Sequence, residues 1–408
     1  MQQHHHSADF YDYIILGGGL AGSCLALALG RRGVKPALLH APHGRTPGAA
    51  PASLVPYALY NPAAAMKARM GWATLACHNA LNELIEELGA FCGGTDDFVR
   101  QEGVLRPCLD KQMEENFRAS LTKNDWPEGW VVWKTPEQIK HEFPGVKHEH
   151  GGLWVSVGKT FDMPALLDRL HAMLREKYGI PVIEAEVTEV ESLPEGNSSG
   201  SRWRLRAERA SAPESGEAGG RGGDAITLKY ETPTLAAACG SALPGLFQAY
   251  LPEELRLHRV KGQTLHISRP VPATFRPSVA SKGYTALFGA GAVVGSTYEH
   301  HFEAASATST TEEARARLLS KVERTFTAGE AARVDIKGQW AGIRLTTPDR
   351  LPLLGALPGA EGLYLAAGFG SKGLMYSSYC AALLADTMLS GHPLPFEVAL
   401  KRQMPVES

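Results

Sequence analysis

The stretch YIILGGGLAGSCLALALG, residues 13–30, decides the fold. Four largely apolar residues, Tyr13–Leu16, run into the spacing Gly17-x-Gly19-x-x-Gly22, and an apolar segment follows through Leu29. Glycines so placed let the chain turn tightly out of a strand, let backbone approach a pyrophosphate, and let the next helix lie close against the strand. A second strand at Pro36–His40, bounded by Gly33 and Pro42, completes a βαβ start for a dinucleotide-binding unit. The run is uncharged over nearly the length of a membrane span, but its glycines cluster where a strand would bend into a helix, so no membrane segment is expected. The second strand ends Leu38-Leu39-His40-Ala41, where an acidic residue normally takes the ribose hydroxyls, and the ribose contact is open on this reading.

The chain has 408 residues, 44% of them hydrophobic and 21% charged, enough for two or three globular units with large cores. Its 41 basic and 43 acidic side chains give a net charge of −2, which lends no support to a domain that holds nucleic acid mainly by electrostatic attraction. Six cysteines without a C-x-x-C pair, and an N-terminus without a secretory leader, argue against a disulfide framework or a zinc ribbon, and a reducing, cytoplasmic setting is expected. The opening Met1–His6 is expected to be a tail outside the fold.

Beyond the second strand, residues Ala64–Leu88 carry apolar side chains at helical spacing and predict one long helix or two. Phe98–Trp154 reads as turn-rich, with short strands near Gly103–Leu105 and Gly152–Val155, and Asp162 stands ready to cap a helix at Met163–Lys177. Strand patterns occupy 182–190, 203–208, 226–230, 235–239, 263–267, 284–288 and 292–297, and residues 211–224 read as a flexible loop. A helix is predicted at Thr311–Phe326. Arg202, Arg204 and Arg206 share one strand face, either a solvated edge or a phosphate contact. Gly289-x-Gly291-x-x-x-Gly295 imitates a second fingerprint, but the β-branched and aromatic residues after it predict a hairpin, which disfavours a pyridine-nucleotide reductase. His148-x-His150 and His300-His301 lack a third ligand at useful spacing, so no metal is expected.

The C-terminal stretch holds most of the chemistry. Leu363–Ala367 reads as a buried strand, Gly368–Gly373 as a glycine loop, and Leu374–Leu389 as a helix whose N-terminal amides and dipole would stabilise negative charge. Upstream lies Trp340-Ala-Gly-Ile-Arg-Leu-Thr-Thr-Pro-Asp349. At these residues, and along nearly the whole length from the Gly17 fingerprint through Val293-Val-Gly-Ser-Thr297, the chain resembles the D-amino-acid oxidase and glycine oxidase family of FAD enzymes. Trp340-Ala-Gly-Ile-Arg344, Thr347-Pro-Asp-Arg-Leu-Pro352 and Gly370-Ser-Lys-Gly-Leu374 are similar to the FAD-dependent part of bacterial bifunctional enzymes that remove the carboxymethyl group from 5-carboxymethylaminomethyl-uridine in tRNA.

The resemblance implies an α/β plus β architecture: a Rossmann-type FAD-binding domain from 10–70, 150–242 and 338–404, and an antiparallel β-sheet substrate domain from 71–149 and 243–337. It implies that Gly17, Gly19 and Gly22 cradle the FAD pyrophosphate, that Val187 and Ala238–Gly240 line the adenine side, and that Gly370, Ser371, Lys372, Gly373 and Leu374 lie beside the isoalloxazine. Lys372 either adds charge there or is a solvated loop lysine. Arg344 matches the arginine that holds a substrate carboxylate, with pairing to Asp349 as the alternative; Tyr284 matches a pocket position or is a core tyrosine. No cysteine lies in Trp340–Gly373, so FAD is expected to be held non-covalently. The implied reaction takes a hydride from the C–N carbon of a glycine-like amine, either a small molecule or a modified tRNA; a flavoprotein without turnover is the remaining reading.

Overall fold

The computed structural model describes residues 8–42, 51–196, 200, 202–209, 226–272, 274–303 and 306–404; the N-terminal tail and the 211–224 loop lie outside them. The chain divides into two units, one from 1–49, 170–259 and 344–408, the other from 50–169 and 260–343.

The first unit is built on a six-stranded sheet, in spatial order Val182–Glu184, Ala37–His40, Tyr13–Leu16, Thr234–Ala237, Leu363–Ala367 and Leu353–Ala356. The first five strands are parallel and the last, an edge strand, is antiparallel. Parallel strands are covered on both faces, and so their sequences are continuously apolar. Ile14, Leu16, Leu39, Leu235 and Leu365 share a core with Trp203, Leu205 and Tyr230 of a four-stranded sheet and with Leu243 and Phe247. The helix Leu20–Gly30 is apolar all round because it is buried all round, packing along the C-terminal helix Gly373–Ser390. Arg32 ties the pair at its rim through Asp386, 2.8 Å away.

The second unit carries an eight-stranded sheet, in order Ile336–Thr346, His258–Ser268, Gly291–Gly295, Tyr284–Phe288, Ser278–Ala280, Val104–Pro107, Gly152–Val155 and Val131–Lys134. The Gly289 region is the expected hairpin, with Tyr284 opposite Gly295. The expectation of an antiparallel sheet needs one correction: Ser278–Ala280 and Val104–Pro107 pair in parallel. These strands meet from distant parts of the chain, so no hairpin turn dictates their direction. One face packs on Ile139, Phe143, Leu318, Val322 and Phe326; the other, through Val104, Leu153 and Val155, packs on Met113 and Phe117.

Several sequence expectations shift. The helix expected within Ala64–Leu88 is Thr74–Cys92; residues before it form turns, Ala68 and Ala73 are left-handed, and Met66 is 88% exposed. Two helices stand in the turn-rich stretch. Lys111–Lys123 is capped by the Asp110 carboxylate on the Met113 N–H, and Pro136–Glu142 by a Thr135/Gln138 capping box. Residues 50–70 and 150–169 fall in the second unit rather than the first, because Tyr57–Tyr60 pairs with Lys159–Asp162 in a separate three-stranded sheet. Residues 338–343 follow them as part of the eight-stranded sheet, and 243–259 pass to the first unit, where Leu243 and Phe247 are core.

Candidate active site

In the first unit, three turns leave the carboxyl ends of three adjacent parallel strands: Gly17–Gly22, Ala238–Gly240 and Gly368–Gly373. Ligands of open parallel sheets bind at that edge. The Gly17 N–H donates to the Leu39 carbonyl and the Ala238 N–H to the Leu16 carbonyl, each at 2.8 Å, so the first turn is held from both sides.

The glycines are sterically enforced. Gly17 has φ +119°, and a Cβ there would lie 2.5 Å from the Ala238 carbonyl oxygen; a Cβ on Gly22 would lie 1.9 Å from the Gly17 carbonyl oxygen. Gly19 is the helix N-cap without a capping side chain, and the first turn holds no acidic residue, so its amides and dipole favour an anion. A turn that admits only backbone, at an N-terminus that favours negative charge, fits a pyrophosphate.

The last turn is laced to the end of strand Ile336–Thr346. The Gly370 N–H donates to the Leu345 carbonyl at 2.9 Å, and Phe369 bridges Thr346. Gly368 and Gly370 both have positive φ, and a Cβ on Gly368 would meet Thr347 Cγ2 at 2.7 Å. Half-buried Arg344 is therefore one residue from the strand position that holds this turn. Lys372 is the N-cap of Gly373–Ser390, again without a capping side chain and again with no acidic residue in the first turn. Its ammonium lies 3.4 Å from the Arg350 carbonyl and 5.5 Å from the Tyr376 ring centroid, so it folds back on the protein. Burial, then the Arg350 charge, lower its pKa from the usual lysine value. Ser371 is exposed, Gly373 intermediate and Leu374 buried.

Asp349, the alternative partner for Arg344, is engaged elsewhere: Arg402 reaches its two oxygens at 2.8 and 3.3 Å, and the Leu351 N–H donates at 3.0 Å. Burial pushes the Asp349 carboxyl up, but the Arg402 and Leu351 hydrogen bonds outweigh it and bring the pKa below the ordinary value. Ser377 was not singled out from sequence. Its hydroxyl, one turn into the C-terminal helix, is buried without a hydrogen-bond partner among the described residues, the kind of group a bound molecule completes.

Val187 is buried at the start of strand Glu186–Ser192, beside a register shift, and Gly240 has φ +55° with open space where a Cβ would be. The Cys239 thiol, within the second turn, is pushed up to about 12 by burial. Tyr284 belongs to the second unit, where its ring covers Gly295: a Cβ there would lie 2.2 Å from Tyr284 Cζ.

Residues 12–387 match the family model described as DAO, FAD dependent oxidoreductase. This chain belongs to the DAO family. FAD is its cofactor, and the glycine turn just described is a fit for it. Among curated relatives of this DAO-family chain is the tRNA 5-methylaminomethyl-2-thiouridine biosynthesis bifunctional protein MnmC of Thiobacillus denitrificans, 33% identical over 184 residues, which are 44% of this chain and 28% of that protein. The protein of the same name from Polaromonas naphthalenivorans is 27% identical over 403 residues, 94% of this chain and 58% of its own length. The chain thus spans little more than half the length of these relatives. Among solved structures, iminodiacetate oxidase from a Chelativorans species superposes with a TM-score of 0.72 at 21% identity, covering 94% of this chain and 97% of that one. Glycine oxidase from Bacillus cereus does so at 0.70 and 18%, covering 94% and 96%.

The arginine face of strand Trp203–Arg209 is charge-compensated. Arg202 pairs with Glu361 and Arg204 with Glu231, both at 2.7 Å, and Arg206 pairs with Glu189 at 3.3 Å. His148 Nδ1 lies 3.2 Å from the Val146 carbonyl, and His150 lies 3.8 Å from Glu114. Among the described residues no group of three His, Cys, Asp or Glu converges as a metal site, and no helix is long and apolar enough to cross a membrane.

Proposed function

We propose that this chain oxidises the C–N bond of a carboxylate-bearing, glycine-like amine in a reducing, cytoplasmic setting. The observation that carries the reading is the place of Arg344, beside the glycine turn at the carboxyl edge of the nucleotide-type sheet. A guanidinium grips both oxygens of a carboxylate through its planar donors, which fixes the direction of the neighbouring C–H. Bound FAD supplies the acceptor for that hydride, and the amine leaves as an imine that water hydrolyses. Amides of Gly373 and Leu374, at the N-terminus of the last helix, stabilise the negative charge that the transfer creates. In the same reading Gly17, Gly19 and Gly22 hold the pyrophosphate, Val187 and Gly240 line the adenine side, Gly370–Leu374 flank the isoalloxazine, and Tyr284 lines the pocket. Relatives named glycine oxidase and iminodiacetate oxidase support an amine that carries a carboxylate.

A free small molecule is favoured over tRNA because the arginine face that could have gripped phosphates is already paired with glutamates. The tRNA reading rests on the match, over 94% of this chain, to a protein named for tRNA modification. Anaerobic mixing with sarcosine, glycine, proline and D-alanine, and separately with tRNA bearing 5-carboxymethylaminomethyl-uridine, tests both. Flavin bleaching by a small amine is expected; rapid bleaching by the tRNA alone reverses the order. Acid precipitation should release intact FAD, and flavin left on the precipitated chain would contradict non-covalent binding.

A further inference from the structure

We propose that the second unit holds a small monovalent anion, of halide size, at Arg106 Nε and Asn61 Nδ2, as the counter-charge of buried Arg106 and Lys159. Arg106 stands on strand Val104–Pro107 opposite Leu153, on the sheet face that helix Lys111–Lys123 covers through Met113 and Phe117. It is 2% exposed, and its guanidinium lies over the Phe117 ring, 4.4 Å from the centroid. Such an interior disfavours charge, and burial pulls the guanidinium down to about 10. Yet no carboxylate among the described residues pairs with it. The acidic side chains at the start of the covering helix are engaged elsewhere, Glu114 with Arg118 at 2.9 Å and Asp110 with Lys282 at 2.8 Å.

The donors are what point to an anion. Arg106 Nη1 donates to the Ala63 carbonyl and, at 3.2 Å, to that of Ala65, while Nε is buried with no hydrogen-bond partner among the described residues. Asn61, 9% exposed, accepts the Ala63 N–H through Oδ1 at 3.0 Å, and its Nδ2 is likewise buried without a partner among them. The two orphan donors thus belong to the two side chains that grip Ala63, one at its N–H and the other at its carbonyl. Tyr60, the residue before Asn61, lies opposite Lys159, a second buried cation, whose ammonium donates to the neutral Gln101 at 2.7 Å and pairs with no carboxylate among the described residues. Two unanswered donors beside two uncompensated positive charges favour a small negative acceptor. A water accepts from N–H groups equally well but leaves both charges unopposed.

Crystals of the FAD-loaded chain are soaked in bromide, and the melt of the same protein is followed as chloride replaces gluconate at constant ionic strength. Expected are an anomalous-scattering peak touching Arg106 Nε and Asn61 Nδ2, and a melting temperature that climbs by about 2 °C for each tenfold rise in chloride once the site fills. Asn61→Asp keeps an oxygen for the Ala63 N–H and supplies the negative charge within the chain, so its melt should no longer respond to chloride while its flavin content stays that of wild type. A water with no bromide peak at the two donors overturns the inference, as does a wild-type melting temperature that is the same in gluconate as in chloride. A bromide peak without a chloride-dependent melt marks an adventitious ion only and overturns it too, and so does a chloride response that survives in Asn61→Asp. The wild-type crystal and melt decide the matter where Asn61→Asp fails to fold. None of these readouts passes through turnover, so a wrong reading of the substrate leaves the inference standing.

Discussion

The Gly17–Gly22 turn and the Tyr284–Gly295 hairpin both depend on a missing side chain, but for opposite reasons. At the turn the glycines let backbone approach backbone: Gly22 sits under the Gly17 carbonyl and Gly17 under that of Ala238. At the hairpin Gly295 makes room for an aromatic ring from the paired strand. The first is a surface of amides, indifferent to most neighbouring side chains and suited to a cofactor common to many enzymes. The second belongs to a unit whose interior is furnished with particular side chains. There Tyr60 Oη lies 3.0 Å from His78 Nδ1, His78 Nε2 lies 2.9 Å from Asn82 Nδ2, and buried Lys159 donates to Gln101. In the proposed reading, cofactor binding is thus written in backbone, and substrate choice is left to side chains of the second unit.

The contrast can be broken most sharply at Gly22. Gly22→Ala places a methyl group 1.9 Å from a backbone oxygen that no rotamer change can move. Expected is a cost of about 2–4 kcal/mol and near-complete loss of bound flavin, read from the flavin absorbance per chain and a thermal melt. Normal flavin content in a well-folded variant would refute the backbone-built cradle.

In the second unit, burial first and the Lys159 charge second push His78 down to about 4, below its ordinary 6.5. The unfolded chain therefore binds the extra proton, and stability falls as pH drops from about 6.5 to 4, by up to roughly 3 kcal/mol. His78→Gln should flatten that part of the stability curve whatever it does to stability at pH 7; an unchanged slope would mean the ring is not held neutral. The smallest effect is expected at Tyr284. Tyr284→Phe keeps the ring over Gly295 and so should keep the melting temperature, while lowering kcat/KM by about threefold to tenfold if the hydroxyl contacts substrate. An unchanged kcat/KM would leave Tyr284 a packing residue.

What could be read from the sequence was local. The Gly17-x-Gly19-x-x-Gly22 spacing lies within six residues, and Asp162 caps the helix it is expected to cap, while Thr311, expected as the first residue of its helix, is instead its N-cap. The caps Asp110 and Thr135-x-x-Gln138 were equally local but were masked by the turn-forming residues around them. Other features depend on partners far along the chain. Gly18 is explained by His40 and His171, and the boundaries at 50 and 169 by a strand pairing across about a hundred residues. Arg344 is singled out by the family resemblance of the residues around it, whereas the engagement of Asp349 by Arg402 required the fold.

The most direct test of the carboxylate-gripping role of Arg344 compares sarcosine with sarcosinamide, or the corresponding pair for whichever glycine-like amine is the better substrate, by anaerobic flavin reduction in wild type and in Arg344→Leu. Wild type should prefer the carboxylate by about a hundredfold or more, and Arg344→Leu, with its FAD retained, should lose that preference because both compounds then meet an uncharged side chain. A preference of equal size in both proteins, or none in wild type, would contradict the role assigned to Arg344.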